Sequence, residues 1–246
     1  MVNRTGFTTA LGKNEQFFRA DILEERSLKG ISSQISSFDG YVFYLIPPSS
    51  FGVRPVTTSL LPLFEVLDRG LIRGVLVVSS TGVFSESNGE TVDNTTCIFA
   101  KTRRVERLLE IEDVWLSSQF QVAIARLGGI YGKGRIIGTS LLNCGESLPG
   151  TGQEYLNLIH GYDAAQALLS MKNGRFWGKK FVVTDGSPVQ RKIYYDYLAD
   201  KLGHKRPVFS GDERNSYKCD SQNSWETLRI TPKFGDYKTG LGDSFG

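Results

Sequence analysis

The side chains best placed to do chemistry in this sequence stand where apolar runs end. Gly129-Ile130-Tyr131-Gly132-Lys133-Gly134 follows one such run and precedes another ordered stretch. Glycines at a strand-to-helix junction free backbone amides that bind anions such as phosphate; the same spacing also suits a plain tight connection. Ser79, Ser80 and Thr81 place hydroxyls at the end of Val75-Leu76-Val77-Val78. Tyr197 and Lys201 have Y-x-x-x-K spacing, which sets both on one face of a helix and reads as a solvated pair. His160, beside an apolar run, reads as a packed structural group. Cys97, Cys144 and Cys219 are odd in number and lack C-x-x-C spacing, and only His160 and His204 offer imidazoles. That pattern fits reduced thiols and no metal site.

Composition narrows the setting. The 246 residues are 40% apolar and carry a net charge of +3 from 29 basic and 26 acidic side chains, with no long basic run. A nucleic-acid partner is therefore not expected. No apolar stretch approaches the ~20 residues of a membrane span, and the first residues lack the apolar core of a signal peptide. The expected location is the cytoplasm or another reducing, soluble compartment such as an organelle stroma or matrix.

Apolar runs alternate with amphipathic stretches, the signature of β-α-β units and a mainly parallel sheet. Strands are predicted at Glu15–Arg19, Gly40–Ile46, Gly74–Ser79, Gln121–Leu127, Glu154–Leu158 and Phe181–Thr184. Helices are predicted at Leu23–Ile35, Val56–Asp68, Thr102–Leu116, Ile136–Asn143 and Asp163–Met171, with Asp163 as the N-cap of the last. Ser187-Pro188-Val189-Gln190 has the cap signature of a further helix, running to Leu202 and stopped by Gly203. Beyond Lys205 an irregular lobe or tail is expected. The fold class is α/β: a Rossmann-like, mainly parallel sheet with helices on both faces, plus a small C-terminal α+β lobe. The division falls at 1–144 and 145–246, with the strands near 154–158 and 181–184 open to returning to the main sheet.

Segments in sequence order carry a family resemblance. Val77-Val78-Ser79-Ser80-Thr81-Gly82-Val83-Phe84 is similar to a strand ending S-S-T-x-V-Y-G. Ala125 to Arg135 resembles R-L-x-x-I-Y-G-P-G-R, and Asn157 to Ala165 resembles N-x-I-H-V-x-D-x-A. Val183 to Pro188 and Tyr237-Lys238-Thr239-Gly240-Leu241 match the opening and closing of the substrate lobe. Together they resemble the extended and atypical short-chain dehydrogenase/reductase superfamily, its NAD-dependent epimerase/dehydratase-like members above all. The resemblance implies a nicotinamide dinucleotide, NADP or NAD, and a nucleotide-sugar-like substrate. It places Ser80, with Thr81 as second choice, at the catalytic hydroxyl. It sets Arg4, Asp21, Ser79 and Gly129 on the cofactor, and Tyr131, Arg135 and His160 on the substrate. Arg4 stands where a cation meets an adenosine 2′-phosphate, and is equally a solvated terminal residue. Asp21 is equally a capping residue for the helix from Leu23. Arg126, inside its strand end, reads as a buried ion pair.

The pattern departs from the family at two places. Met1–Thr5 reads as the end of a second strand, yet no G-x-G-x-x-G turn stands among residues 1–30, whose glycines are Gly6, Gly12 and Gly30. Those glycines normally bring amides to the pyrophosphate, so weak or absent dinucleotide binding is expected. Without the first strand, two sheet edges are left to be bridged by rearrangement, another segment, a protein partner or a second copy. Aligning Glu106 with the family's helix glutamate puts Ile98 at the tyrosine position and Thr102 at the lysine position. No tyrosine occurs between Tyr44 and Tyr131, so the phenol that acts as acid and base is missing there. The functional expectation is an atypical epimerase/dehydratase-like protein with a degenerate Tyr/Lys pair. The alternatives are a non-enzymatic scaffold or assembly subunit, and a truncated product of an ordinary NAD(P)-binding relative.

Overall fold

A computed structural model describes residues 2–3, 18–85 and 88–245. The chain opens with two short strands, β1 (Val2–Asn3) and β2 (Phe18–Arg19), paired in parallel. The expected single helix from Leu23 to Ile35 is two pieces, α1 (Glu25–Lys29) and α2 (Ser32–Ser36). Gly30 falls between them, where a glycine weakens a helix interior. Then come β3 (Asp39–Tyr44), α3 (Val56–Leu67), β4 (Leu71–Ser80), β5 (Glu90–Val92), α4 (Arg103–Leu116) and β6 (Val122–Leu127). The second half holds β7 (Gly129–Tyr131), α5 (Thr139–Cys144), β8 (Tyr155–Leu156), β9 (Leu158–His160), α6 (Gly161–Ser170) and β10 (Lys180–Val183). It ends with β11 (Val189–Gln190), α7 (Arg191–Leu202), β12 (Tyr217–Cys219), α8 (Gln222–Leu228) and α9 (Tyr237–Phe245).

The central sheet has the order β10-β6-β4-β3, all parallel. Strands covered on both faces read as continuous apolar runs, and β6 is buried along its whole length. Its neighbour β4 shows how the two faces divide. Val75 and Val77 join a core with Leu60 and Phe64 of α3, Ile111 and Trp115 of α4, and Leu28 of α1. Leu76 points the other way, into a core with Ala164, Ala167 and Leu168 of α6 and Trp225 and Leu228 of α8. Period-two alternation along the strand thus supplies two cores, and helices cover both faces as expected.

Among the described residues, β3 pairs only with β4, and the β1–β2 pair forms a separate two-stranded sheet. Neither a rearranged pairing of β1 with β3 nor a filling segment is seen among them. The β1–β2 side nonetheless shares the first core, where Ala20 and Ile22 pack with Tyr44.

Three local readings are corrected. The predicted strand over Glu154–Leu158 is two short ones, β8 and β9: β8 pairs antiparallel with β11, and β9 pairs with β7. Ser187 is not a cap, because Val189 and Gln190 are spent on β11 and α7 starts only at Arg191. Gly203 does end α7, with φ of 71°. Residues beyond Lys205 are not an irregular tail, since β12, α8 and α9 lie there and Trp225, Leu228 and Leu241 are core residues.

Candidate functional site

The C-terminal ends of β4 and β6 lie side by side, with Ser79 opposite Arg126 and Ser80 opposite Leu127. Gly128 and Gly129 follow directly on β6, so the structure brings Ser80 to the neighbouring strand end from Gly129. The Ser80 hydroxyl accepts the Gly82 amide at 3.0 Å and caps a short turn over Thr81–Val83. Thr81 is buried.

Below this end sits a charge cluster. Glu112 of α4 is fully buried and accepts two hydrogen bonds from Arg126, at 3.0 and 2.7 Å. The Ser79 hydroxyl donates to the same carboxylate at 2.6 Å, and Lys180 lies 3.1 Å away. Burial by itself would raise the Glu112 carboxyl; Arg126, the Ser79 hydroxyl and Lys180 together outweigh it, and the net shift is downward. Arg126 is the buried ion pair its position suggested. The Ser79 hydroxyl serves this cluster.

The segment expected from sequence to align with a tyrosine and lysine is turned to packing and capping. Ile98 lies against the apolar cluster of Val83, Phe84, Leu108 and Cys219. Thr102 is the N-cap of α4, its hydroxyl accepting the Val105 amide at 3.3 Å. Lys101 reaches back to the Ser85 carbonyl at 3.2 Å. The phenol nearest in the hydrogen-bond pattern comes from elsewhere: the Tyr217 hydroxyl donates to the Thr81 carbonyl at 2.9 Å.

The remaining named residues separate into distinct places. Arg4 lies outside the described residues. Asp21 accepts the Leu23 amide at 3.0 Å in a turn that leads into α1. In the glycine loop, the Gly132 and Arg135 amides donate to each other's carbonyls at 2.9 Å, which closes that part of the loop upon itself. Arg135 turns its guanidinium to the Ile130 carbonyl at 3.1 Å. Tyr131 and His160 are register partners on β7 and β9 with ring contact at 5.4 Å, and both are buried. Tyr131 donates to the Asp236 carbonyl at 3.2 Å, and burial, with Asp185 nearby, pushes its phenol well above the usual range.

His160 takes the role expected of Asp163. Its Nδ1 accepts the Tyr162 amide at 3.2 Å as the N-cap of α6, and its ring lies 4.0 Å from that of Phe234. Asp163 sits within the first turn and receives the Lys233 and Phe234 amides at 2.8 and 2.9 Å. The periodicity that locates α6 cannot separate these roles, because the partners of Asp163 lie about seventy residues downstream. Tyr197 and Lys201 form the pair read from their spacing, Lys201 lying 5.6 Å from the Tyr197 ring, remote in sequence from Ser80.

A separate groove of about 890 Å³ is lined by Asp185, Lys218, Asp220, Trp225 and Arg229 among others, and Ser80, Ile98 and Gly129 are not among its lining residues. Asp185, missed in the sequence, is buried in that region. Burial pushes its carboxyl up to about 7; the Asp236 and Asp163 carboxylates add to this, and the Ser187 amide opposes it. No group of three or more metal-ligating side chains occurs among the described residues. No helix among them is long and apolar enough to cross a membrane.

The parallel sheet and its two helical layers define a Rossmann-like α/β fold. No protein-family model matches the chain, and no curated protein matches its sequence. Solved structures match it in fold. A protein assigned as an NAD-dependent epimerase/dehydratase from Methylobacillus flagellatus aligns with a TM-score of 0.76 at 22% identity, over 96% of this chain and 85% of that one. The dTDP-glucose 4,6-dehydratase of Bacillus anthracis, in complex with NAD, gives 0.75 at 13% identity, over 94% and 79%. MoeE5, in complex with UDP-glucose and NAD, gives 0.70 at 19% identity, over 93% and 84%.

Proposed function

We propose that this protein is an atypical epimerase/dehydratase-like protein that holds a nucleotide-sugar-like ligand at the Ser80 strand end, with a degenerate Tyr/Lys pair. In this reading residues 1–144 carry the dinucleotide half and 145–246 the substrate half. The observation that carries it is the contrast between two neighbouring segments. The Ser80 end of β4 keeps the hydroxyl in the family position, whereas Ile98 is packed into an apolar cluster and Thr102 is committed to capping α4. A hydroxyl that orients an oxygen is retained; the ordinary proton-transfer pair is not.

Dinucleotide binding by this 246-residue chain is expected to be weak, with NADP favoured over NAD through Arg4. Structural neighbours in complex with NAD, and one with UDP-glucose as well, support the choice of ligands to test. Titration calorimetry with NADP, NAD and UDP-glucose tests the reading. Weak binding of NADP that declines further in Arg4→Ala is the expected result. Submicromolar binding of either dinucleotide overturns the impaired-cofactor part.

A second reading, a scaffold that uses its fold as a surface, is favoured by β3. Among the described residues this strand is paired on one side only, and Phe43 and Leu45 near its end are exposed. Unpaired strand edges are templates for another chain. Sedimentation measurements showing a stable assembly, together with no binding of any of the three ligands, would favour it.

A further inference from the structure

We infer that Tyr217 supplies the phenol of the Ser80 site, as a hydrogen-bond acceptor for a ligand hydroxyl, in place of the side chain that Ile98 does not provide. This rests on the reading of the Ser80 strand end as the ligand site.

The placement is built from three independent attachments. The Tyr217 hydroxyl lies 2.9 Å from the carbonyl of Thr81, the residue next to Ser80, although the two are 136 positions apart in sequence. Its ring meets that of Phe84 edge-on, with centroids 5.9 Å apart, which fixes the ring plane. Its backbone is held twice. β12 pairs with β5 through Tyr217 and Glu90, and the Asn157 side chain donates to the Tyr217 carbonyl at 2.9 Å while accepting the Cys219 amide at 2.7 Å. A phenol carried on a strand clamped on both sides is pre-organised, and Tyr217 is half-buried, neither sealed in the core nor free in solvent.

A phenol both donates and accepts hydrogen bonds. The Tyr217 proton goes to the Thr81 carbonyl beside Ser80, and a ligand hydroxyl at this strand end would meet the phenolic oxygen as acceptor. Sugar rings present such hydroxyls. The segment 97–102 carries no group of this kind aligned with the family phenol, and Tyr197, which has the Y-x-x-x-K spacing, packs against Tyr237.

The test uses the full chain labelled with ¹³C at tyrosine Cζ, with the Tyr217 signal assigned through its contact to the Phe84 ring. UDP-glucose is the probe, and the Ser80 and Gly129 amide signals are followed in parallel. The expected result is that all three respond together, and that Tyr217→Phe weakens binding by about tenfold, the worth of one hydrogen bond to a polar ligand atom. The ring signal reports the contact in the unmutated protein, so a poorly folded Tyr217→Phe does not silence the test. Movement of the Ser80 and Gly129 amides with a stationary Tyr217 ring overturns this inference and leaves the proposed function standing. An unchanged affinity in folded Tyr217→Phe overturns it equally. No movement at any of the three overturns the ligand site itself, and this inference with it.

Discussion

Glu112 and Arg126 are joined by two hydrogen bonds, at 3.0 and 2.7 Å, with both side chains sealed from solvent beneath the Ser79–Ser80 strand end. A buried pair of this kind adds modest net stability, but removing one partner strands the other charge. Glu112→Ala is therefore expected to cost about 3–5 kcal/mol, read by chemical denaturation. Replacing Arg126 and Glu112 together by apolar residues of similar volume is expected to cost less than Glu112→Ala alone.

Two buried carboxyls give opposite pH dependences. Glu112 has a lowered folded pKa, so its contribution is complete above the unfolded value of about 4.3 and is lost as pH falls through the lower folded value. Asp185, held up to about 7, works the other way. Between the unfolded value of about 3.9 and about 7 the native chain keeps a proton that the unfolded chain has released, so stability falls as pH rises through that window. Asp185→Asn is expected to remove the decline: its Tm matches wild type near the lower bound and exceeds it above the upper one. A Tm difference that is flat with pH would speak against this.

Loss of the α4 cap is a smaller and separable effect. Thr102→Ala is expected to cost about 1 kcal/mol, with Thr102→Ser restoring most of it. Thermal unfolding of the two variants side by side decides between a capping role and a ligand-facing one, because the latter would leave stability unchanged.

If turnover is found, it is expected to depend on Ser80 and not on Tyr197. Ser80→Ala should lower the rate by a large factor. Tyr197→Phe should leave the rate alone and cost less than ~1 kcal/mol of stability, since the Tyr197 ring packs 5.4 Å from that of Tyr237 and serves the lobe. Turnover surviving Ser80→Ala but lost in Tyr197→Phe would move the chemistry to α7.

What could be read in advance follows the range of the interactions. The run Val75 to Val78 announces a strand covered on both faces, and the stripe Val105, Leu108, Ile111, Trp115 announces α4, because side-chain period is a local property. Ser80 was legible as a strand end for the same reason. The cap of α6 was not: His160 and Asp163 both suit a helix start, and only the loop at Lys233–Phe234 decides between them. Ser187-Pro188 carries a helix-start signature that pairing of β11 with β8 overrides. The α8 helix was hidden because only Trp225 and Leu228 mark its buried face, among polar neighbours in a short element. Tyr217 could not be found by motif, since no spacing rule spans the distance to Thr81.

The Asn157 side chain does on a small scale what a whole strand does elsewhere. Its carboxamide offers one N–H and one C=O to the backbone of Tyr217 and Cys219, at 2.9 and 2.7 Å, while β5 occupies the opposite flank of that segment. One residue thus stands in for a ladder rung, and it is a rung sensitive to chemistry no ordinary peptide group undergoes. Deamidation would turn the N–H donor into an oxygen facing the Tyr217 carbonyl, lone pair against lone pair. The seam between the C-terminal segment and the sheet would then loosen at one place only, so that ageing of a single amide would register as a shift in how firmly the last third of the chain is held.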